Sequence, residues 1–218
     1  VLTLPVFSAL RKACPGAEII GHVRAYTAPL LVGRPDVDRI LIDDPGGKPL
    51  SVLRLAKRIR SLKIRTAVIV HPSSRAITAC WLAGIPVRIG RASNIWQGFL
   101  NRRMVQHRSK NETHESRYNI DLLRAIGLEP SFESPTILLS EAERSAGRRY
   151  LDAHGLPGVR PVFIHPGHGG SAFNMRLDRY VELTKRLLGQ GFRPALSLGP
   201  GEEQLATSFS PDVPRLTG

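Results

Sequence analysis

VFIHPGHGGSAFNMRLDRYVELTKRLL, residues 162–188, is an apolar strand that runs through a glycine-rich loop into an amphipathic helix. The β-prone run stops at His165-Pro166, and from Leu177 the apolar residues recur at helical spacing. The loop Gly167-His168-Gly169-Gly170-Ser171 lacks the side chains that would hold a ligand's phosphates away from the backbone N–H groups. Its shape suits an anionic ligand above a parallel sheet, although such a loop also occurs as a plain tight turn. The Gly-Lys-Ser/Thr of the Walker loop is absent, so that cofactor class recedes.

Outward from this stretch, strand and helix signals alternate through the chain. Leu2 to Cys14 has helical spacing and ends at Pro15-Gly16, and Ala17 to Val23 reads as a strand. Tyr26 to Val32 reads as a short helix, Arg39 to Ile42 as a short apolar run, Asp43 to Gly47 as a loop and Val52 to Leu62 as a basic amphipathic helix. Thr66 to Val70 is a strand ended by His71-Pro72. Ser73-Ser74 then supplies a helix N-cap, the helix Ala76 to Ala83 closes at Gly84, and Val87 to Ile89 is another strand. Strands alternating with helices of about 10–15 residues imply parallel pairing with crossover helices on both faces, so the class is α/β. Arg91 to Lys110 has weak periodicity and reads as a basic loop or lid anchored by Trp96 and Phe99, while His114 to Ile126 returns to helical spacing.

Glu129 to Pro135 is polar and proline-marked, which places a domain boundary there, with units at residues 1–134 and 135–218. Ser140 to Glu143 matches a capping box that opens a helix to His154. Phe192 to Leu198 is a further strand, and Gly199-Pro200-Gly201-Glu202-Glu203 is a second glycine-bearing loop entering a helix at Gln204. Two strands of a second sheet bury too little to stand alone, and Val1 opens on a helix face without a preceding strand. The chain therefore reads as a fragment of a longer one, truncated at both ends.

Composition narrows the classes. Of the net charge of +13, all the excess sits in residues 1–110, with 19 Lys/Arg against 5 Asp/Glu; residues 111–218 hold 12 against 13. Such a field attracts nucleic acid, anionic lipid or a phosphorylated or carboxylated substrate. No stretch approaches the roughly 18 apolar residues of a spanning helix, and no secretion signal opens the chain. Cys14 and Cys80 lie far apart in helix-like patterns and read as reduced, buried thiols. No zinc-ligand spacing is present, so no metal is expected.

Four blocks, VLTLPVFSALRKACPGAEI, TAVIVHPSSRAITACWLAGIPVRIGRAS, THESRYNIDLLRAIGL and FIHPGHGGSAFNMRLDRYVELTKRL, together resemble glycosyltransferase family 9, the ADP-heptose:lipopolysaccharide heptosyltransferases. The resemblance covers nearly the whole chain. It implies the GT-B fold, with two Rossmann-like domains, the acceptor mainly on the first and the nucleotide-sugar mainly on the second. It further implies inverting, metal-independent transfer of heptose from ADP-heptose to the lipopolysaccharide inner core. No cofactor beyond that donor is then needed, and the enzyme is cytoplasmic and peripheral at the inner membrane surface. The general base of the family is an Asp just upstream of the position of Val1, so no catalytic residue is assigned in this chain.

On this resemblance, His165, Pro166, Gly167, Gly169, Gly170, Ser171 and Asn174, with Gly199, Pro200 and Glu202 beside them, are the expected donor-binding residues. Many members carry a Lys and a Trp-Pro where this chain has Asn174-Met175-Arg176. For the anionic acceptor, Thr3, His71, Ser73, Arg75 and Arg91 fall in or beside loops at strand ends, and the two arginines can bind an acid group bidentately. His71 reads equally as a hydrogen-bonded structural residue, and His114-Glu115 reads as helix capping. Three alternatives stay open: a family 9 relative using another nucleotide-sugar or acceptor, a basic nucleic-acid-binding α/β protein, and a truncated chain that is inactive alone. The second would interleave more aromatics than the 6% found here, so no nucleic-acid partner is expected.

Overall fold

The computed structural model describes residues 1–92, 95–110, 112–168 and 174–217. It divides into two compact units, Val1–Leu138 and Leu139–Gly218. Both are α/β with parallel strands, as expected.

In the first unit, β1 (Ile20–Val23) pairs in parallel with β2 (Arg39–Ile42). A second parallel sheet has the order β3 (Thr66–Ile69), β4 (Val87–Arg91), β5 (Arg102–Met104). The period-2 alternation of β3 sends its side chains to two different cores. Ile69 joins Leu41, Leu55, Ile59, Ile77 and Cys80 beneath α2 (Val52–Ser61) and α3 (Ser74–Leu82). Val68 and the following Val70 pack with Val6, Ala9, Ile120 and Leu123, which come from α1 (Leu4–Ala13), α4 (Glu115–Asp121) and the 3-10 turn Leu122–Ile126. α2 shows why its sequence folds as it does: Ser51 caps it by accepting the Arg54 N–H, Leu55 and Ile59 are buried one turn apart, and Arg54, Lys57 and Arg58 face water.

The second unit repeats the scheme with β6 (Val162–Ile164), β7 (Pro194–Leu198) and β8 (Arg215–Thr217), all parallel and in that order. α6 (Leu177–Gly189) covers Ile164, Leu196 and Leu198 through Leu177, Tyr180, Val181 and Leu187. Ala195 points the other way, toward Leu156, Leu216 and Leu151 of α5 (Glu141–Ala153). The expected capping box opens α5: Ser140 Oγ accepts the Glu143 N–H and the Glu143 carboxylate accepts the Ser140 N–H.

Several expectations are corrected. The basic loop expected over 91–110 contains β5, whose pairing is made by backbone groups while Arg102 and Arg103 stay exposed, so no apolar alternation marks it. The second sheet gains a third strand, β8. The unit boundary falls after Leu138 rather than after Ser134. The short helix expected over Tyr26 to Val32 is present, as a 3-10 helix over Ala25–Leu31 with Pro29 inside it. Cys14 is only half-buried, whereas Cys80 is buried and its thiol is pushed up to about 11 by that burial. Among the described residues no helix is long and apolar enough to cross a membrane.

Candidate functional site

In the second unit, the carboxyl ends of the adjacent parallel strands β6 and β7 bring four of the expected residues together. His165 follows β6 directly, and its Nδ1–H donates to the Ser197 carbonyl of β7 at 2.7 Å. A carbonyl only accepts, which fixes that nitrogen as the donor and leaves Nε2 free to face the site. Nε2 lies 3.9 Å from Oε2 of Glu202. The same Oε2 accepts the Gly199 N–H at 2.8 Å, and the Glu202 N–H donates to the Gly199 carbonyl at 3.1 Å. Gly167 completes the group by what it lacks: a Cβ there would overlap the Glu202 carboxyl. Gly201 holds a positive φ of 81° in the same loop, which a glycine adopts without strain.

The remaining donor-side expectations divide. Pro166 is buried and its carbonyl accepts the Asn174 Nδ2–H at 2.9 Å. Asn174 Oδ1 accepts the Met175 N–H and the Tyr180 hydroxyl, so this amide braces the entry to α6 instead of standing free as a ligand contact. Pro200 is exposed beside Gly201. Gly169, Gly170 and Ser171 lie outside the described residues.

On the acceptor side, the first unit holds Arg75 in an ion pair. Its Nη1 donates to Asp43 Oδ1 at 2.8 Å and to the Leu50 carbonyl at 3.0 Å, and its Nη2 bonds to Asp43 Oδ2. His22 Nε2 adds a third donor to Asp43 at 3.1 Å. The hydrogen bonds from Arg75, the largest influence, hold the Asp43 carboxyl below its usual range. Arg75 is thus a strut between α3 and the end of β2, its charge already matched. Ser73 caps α3 by accepting the Ala76 N–H. Thr3 stands at the N-cap of α1 without a side-chain cap bond, and His71 is exposed just beyond β3.

Arg91 behaves differently. It ends β4, is partly accessible, and its buried Nε has no hydrogen-bond partner. Opposite it in register is Met104 of β5, which leads to Gln106 and Arg108. Arg108 is fastened to Gln106, Glu115 and Asn119, and burial, joined by the Arg91 charge and only partly offset by Glu115, pulls its guanidinium below the usual value. Two cations thus stand near each other beyond the ends of β4 and β5, with one carboxylate hydrogen-bonded to Arg108. Sequence reasoning passed over Arg108 because it lay in a stretch without periodicity. His114 caps α4 as expected, its Nδ1 accepting the Ser116 N–H.

No protein-family model matches the chain. A Haemophilus influenzae protein that bears the provisional name of glycosyltransferase is 29% identical over 212 residues, which is 93% of this chain and 61% of that protein. The chain thus spans less than two thirds of the length of this curated relative. A glycosyl transferase family 9 structure from Veillonella parvula superposes on all of the chain, using 65% of its own length, with a TM-score of 0.82 and 18% identity. The E. coli ADP-heptose lipopolysaccharide heptosyltransferase II superposes on 99% of the chain, with 67% of its own length, a TM-score of 0.75 and 21% identity. The chain therefore has the GT-B-type α/β fold of glycosyltransferase family 9.

Proposed function

We propose that the chain is the greater part of a glycosyltransferase that moves heptose from ADP-heptose to the lipopolysaccharide inner core, by inverting, metal-independent transfer at the cytoplasmic face of the inner membrane. The observation that carries the reading is the meeting of His165, Gly167, Gly199 and Glu202 over the ends of β6 and β7. Ligands of open α/β sheets bind outside the carboxyl ends of the strands. A carboxylate there accepts hydrogen bonds only, so Glu202 matches the hydroxyl pair of a nucleotide's ribose, while glycine-lined backbone takes a diphosphate. The likeness to a heptosyltransferase that uses ADP-heptose supports that donor. No residue of this chain is given the role of base.

Arg91, with Arg108 behind it, is the acceptor-side anchor for a carboxylate or phosphate. Arg91→Ala in the whole protein is expected to raise the acceptor KM by about 1–3 kcal/mol, roughly 5- to 150-fold, with the donor KM unchanged. Arg75→Ala should instead lower stability, since its partner Asp43 is buried. An acceptor KM untouched by Arg91→Ala removes it from the site. The decisive test of the reading is turnover with ADP-heptose and with ADP-, UDP- and GDP-hexoses on deacylated inner-core lipopolysaccharide. Turnover confined to ADP-heptose is expected; turnover with another donor keeps the fold and discards the substrate.

A further inference from the structure

Both tryptophans of the chain lie in one exposed aromatic patch on the first unit. Trp81 stands near the end of α3, and Trp96 sits in the 3-10 turn Ile95–Phe99 that packs against α3. Phe99 links them, with ring centroids 4.7 Å from Trp81 and 6.2 Å from Trp96. Trp81 is 46% exposed, Trp96 42% and Ile95 87%. Single apolar residues on a surface need no explanation, but two indoles around one phenylalanine, with an exposed isoleucine next to one of them in the chain, make a surface of the kind that meets a partner.

The charge around the patch identifies that partner. From Pro45 to Lys110 the chain holds fourteen Lys and Arg and no Asp or Glu. This stretch builds α2, β3, α3, β4 and β5. Arg60 bonds to the Leu82 carbonyl next to Trp81, and Arg88 donates to the Phe99 carbonyl at 2.6 Å and to the Ile85 carbonyl. Arg103 of β5 is exposed and, paired with Gly90, lies on the same sheet face as Arg88, whereas Arg102 points to the other face. A second copy of the chain would bring the same positive field against itself. Single-stranded nucleic acid would stack on the indoles but has no use for Ile95. An anionic bilayer uses all three parts: indoles settle at the headgroup level, an aliphatic side chain enters the acyl boundary, and Lys and Arg attract the lipid charge.

We propose that the surface formed by Trp81, Ile95, Trp96 and Phe99, bordered by Arg60, Arg88 and Arg103, docks on an anionic phospholipid bilayer. It gives the membrane placement proposed above a specific surface, and it rests on this patch rather than on the transfer reaction. The test therefore uses vesicles without any acceptor, of phosphatidylcholine alone and of phosphatidylcholine with phosphatidylglycerol. With no other tryptophan in the chain, its intrinsic emission reports on the patch alone. A blue shift and co-sedimentation with the anionic vesicles, and neither with the neutral ones, are expected. Ile95→Asp, at a site too exposed to matter for folding, and the charge reversal Arg103→Glu should each cut sedimentation at least about tenfold, with far-UV circular dichroism unchanged. Unchanged emission with anionic vesicles, or sedimentation indifferent to Ile95→Asp, overturns the proposal. A shift produced by a single-stranded oligonucleotide and not by vesicles overturns it in favour of nucleic acid.

Discussion

Replacing Asp36 with alanine is expected to destabilise the first unit by about 3–5 kcal/mol, the cost of leaving a buried guanidinium without its counter-charge. Arg34 and Asp36 have side chains only 5% and 8% exposed. Arg34 grips the carboxylate through Nε at 2.8 Å and Nη2 at 2.6 Å, and Ser8 of α1 donates to the same group at 2.6 Å. Burial alone would raise the Asp36 carboxyl, but the hydrogen bonds from Arg34 and Ser8 outweigh it and hold the group below its usual range. A carboxyl depressed in the folded state contributes stability that is complete above its unfolded pKa, about 3.9, and is lost as pH falls through the folded value. The gap between the wild type and Asp36→Ala should therefore be constant from neutral pH to about pH 5 and shrink only in stronger acid. Urea denaturation followed by tryptophan emission reads this unit alone, because Trp81 and Trp96 both belong to it. A loss below about 1 kcal/mol would mean that solvent screens the pair as it does on a surface.

The same pair explains where the sequence misplaced the boundary. Glu129 to Pro135 looks like a linker because its residues are polar and carry two prolines. Composition does not register long-range fastening, however. Arg34 Nη1 donates to the Thr136 carbonyl at 2.9 Å, Lys12 pairs with Glu133, and the Phe132 ring lies under the Arg117 guanidinium and edge-on to His114. These contacts span up to 121 residues of separation and hold the segment on the first unit, so the division moves beyond Leu138. Arg75 and Arg91 make the same point about the site. Both were legible as cations beside strand ends; what makes Arg75 a matched strut is Asp43, 32 residues before it, which reads in sequence only as a loop acid. Periodicity reveals β3, α2 and α6 because their own burial is recorded in their own residues. It misses β5 and β8, three residues each, whose place depends on the neighbouring strand.

Gly167→Ala should raise the Kd for ADP and the donor KM by about 10- to 100-fold while shifting the thermal midpoint by no more than a few degrees. Gly167 is not in the left-handed region, so alanine meets no backbone strain. What it meets is the Glu202 carboxyl, and a partly exposed, flexible side chain can yield by swinging away. Swinging away breaks the bond to the Gly199 N–H and removes the carboxylate from beside His165, which undoes the site without undoing the core. If that account is right, Glu202→Ala should weaken ADP binding by a similar factor, and adding Gly167→Ala to it should cost almost nothing more. A double-mutant cycle measured by calorimetry makes the comparison. Additive losses would mean that glycine and carboxylate act separately, and unchanged ADP affinity in Gly167→Ala would take this loop out of the donor site altogether.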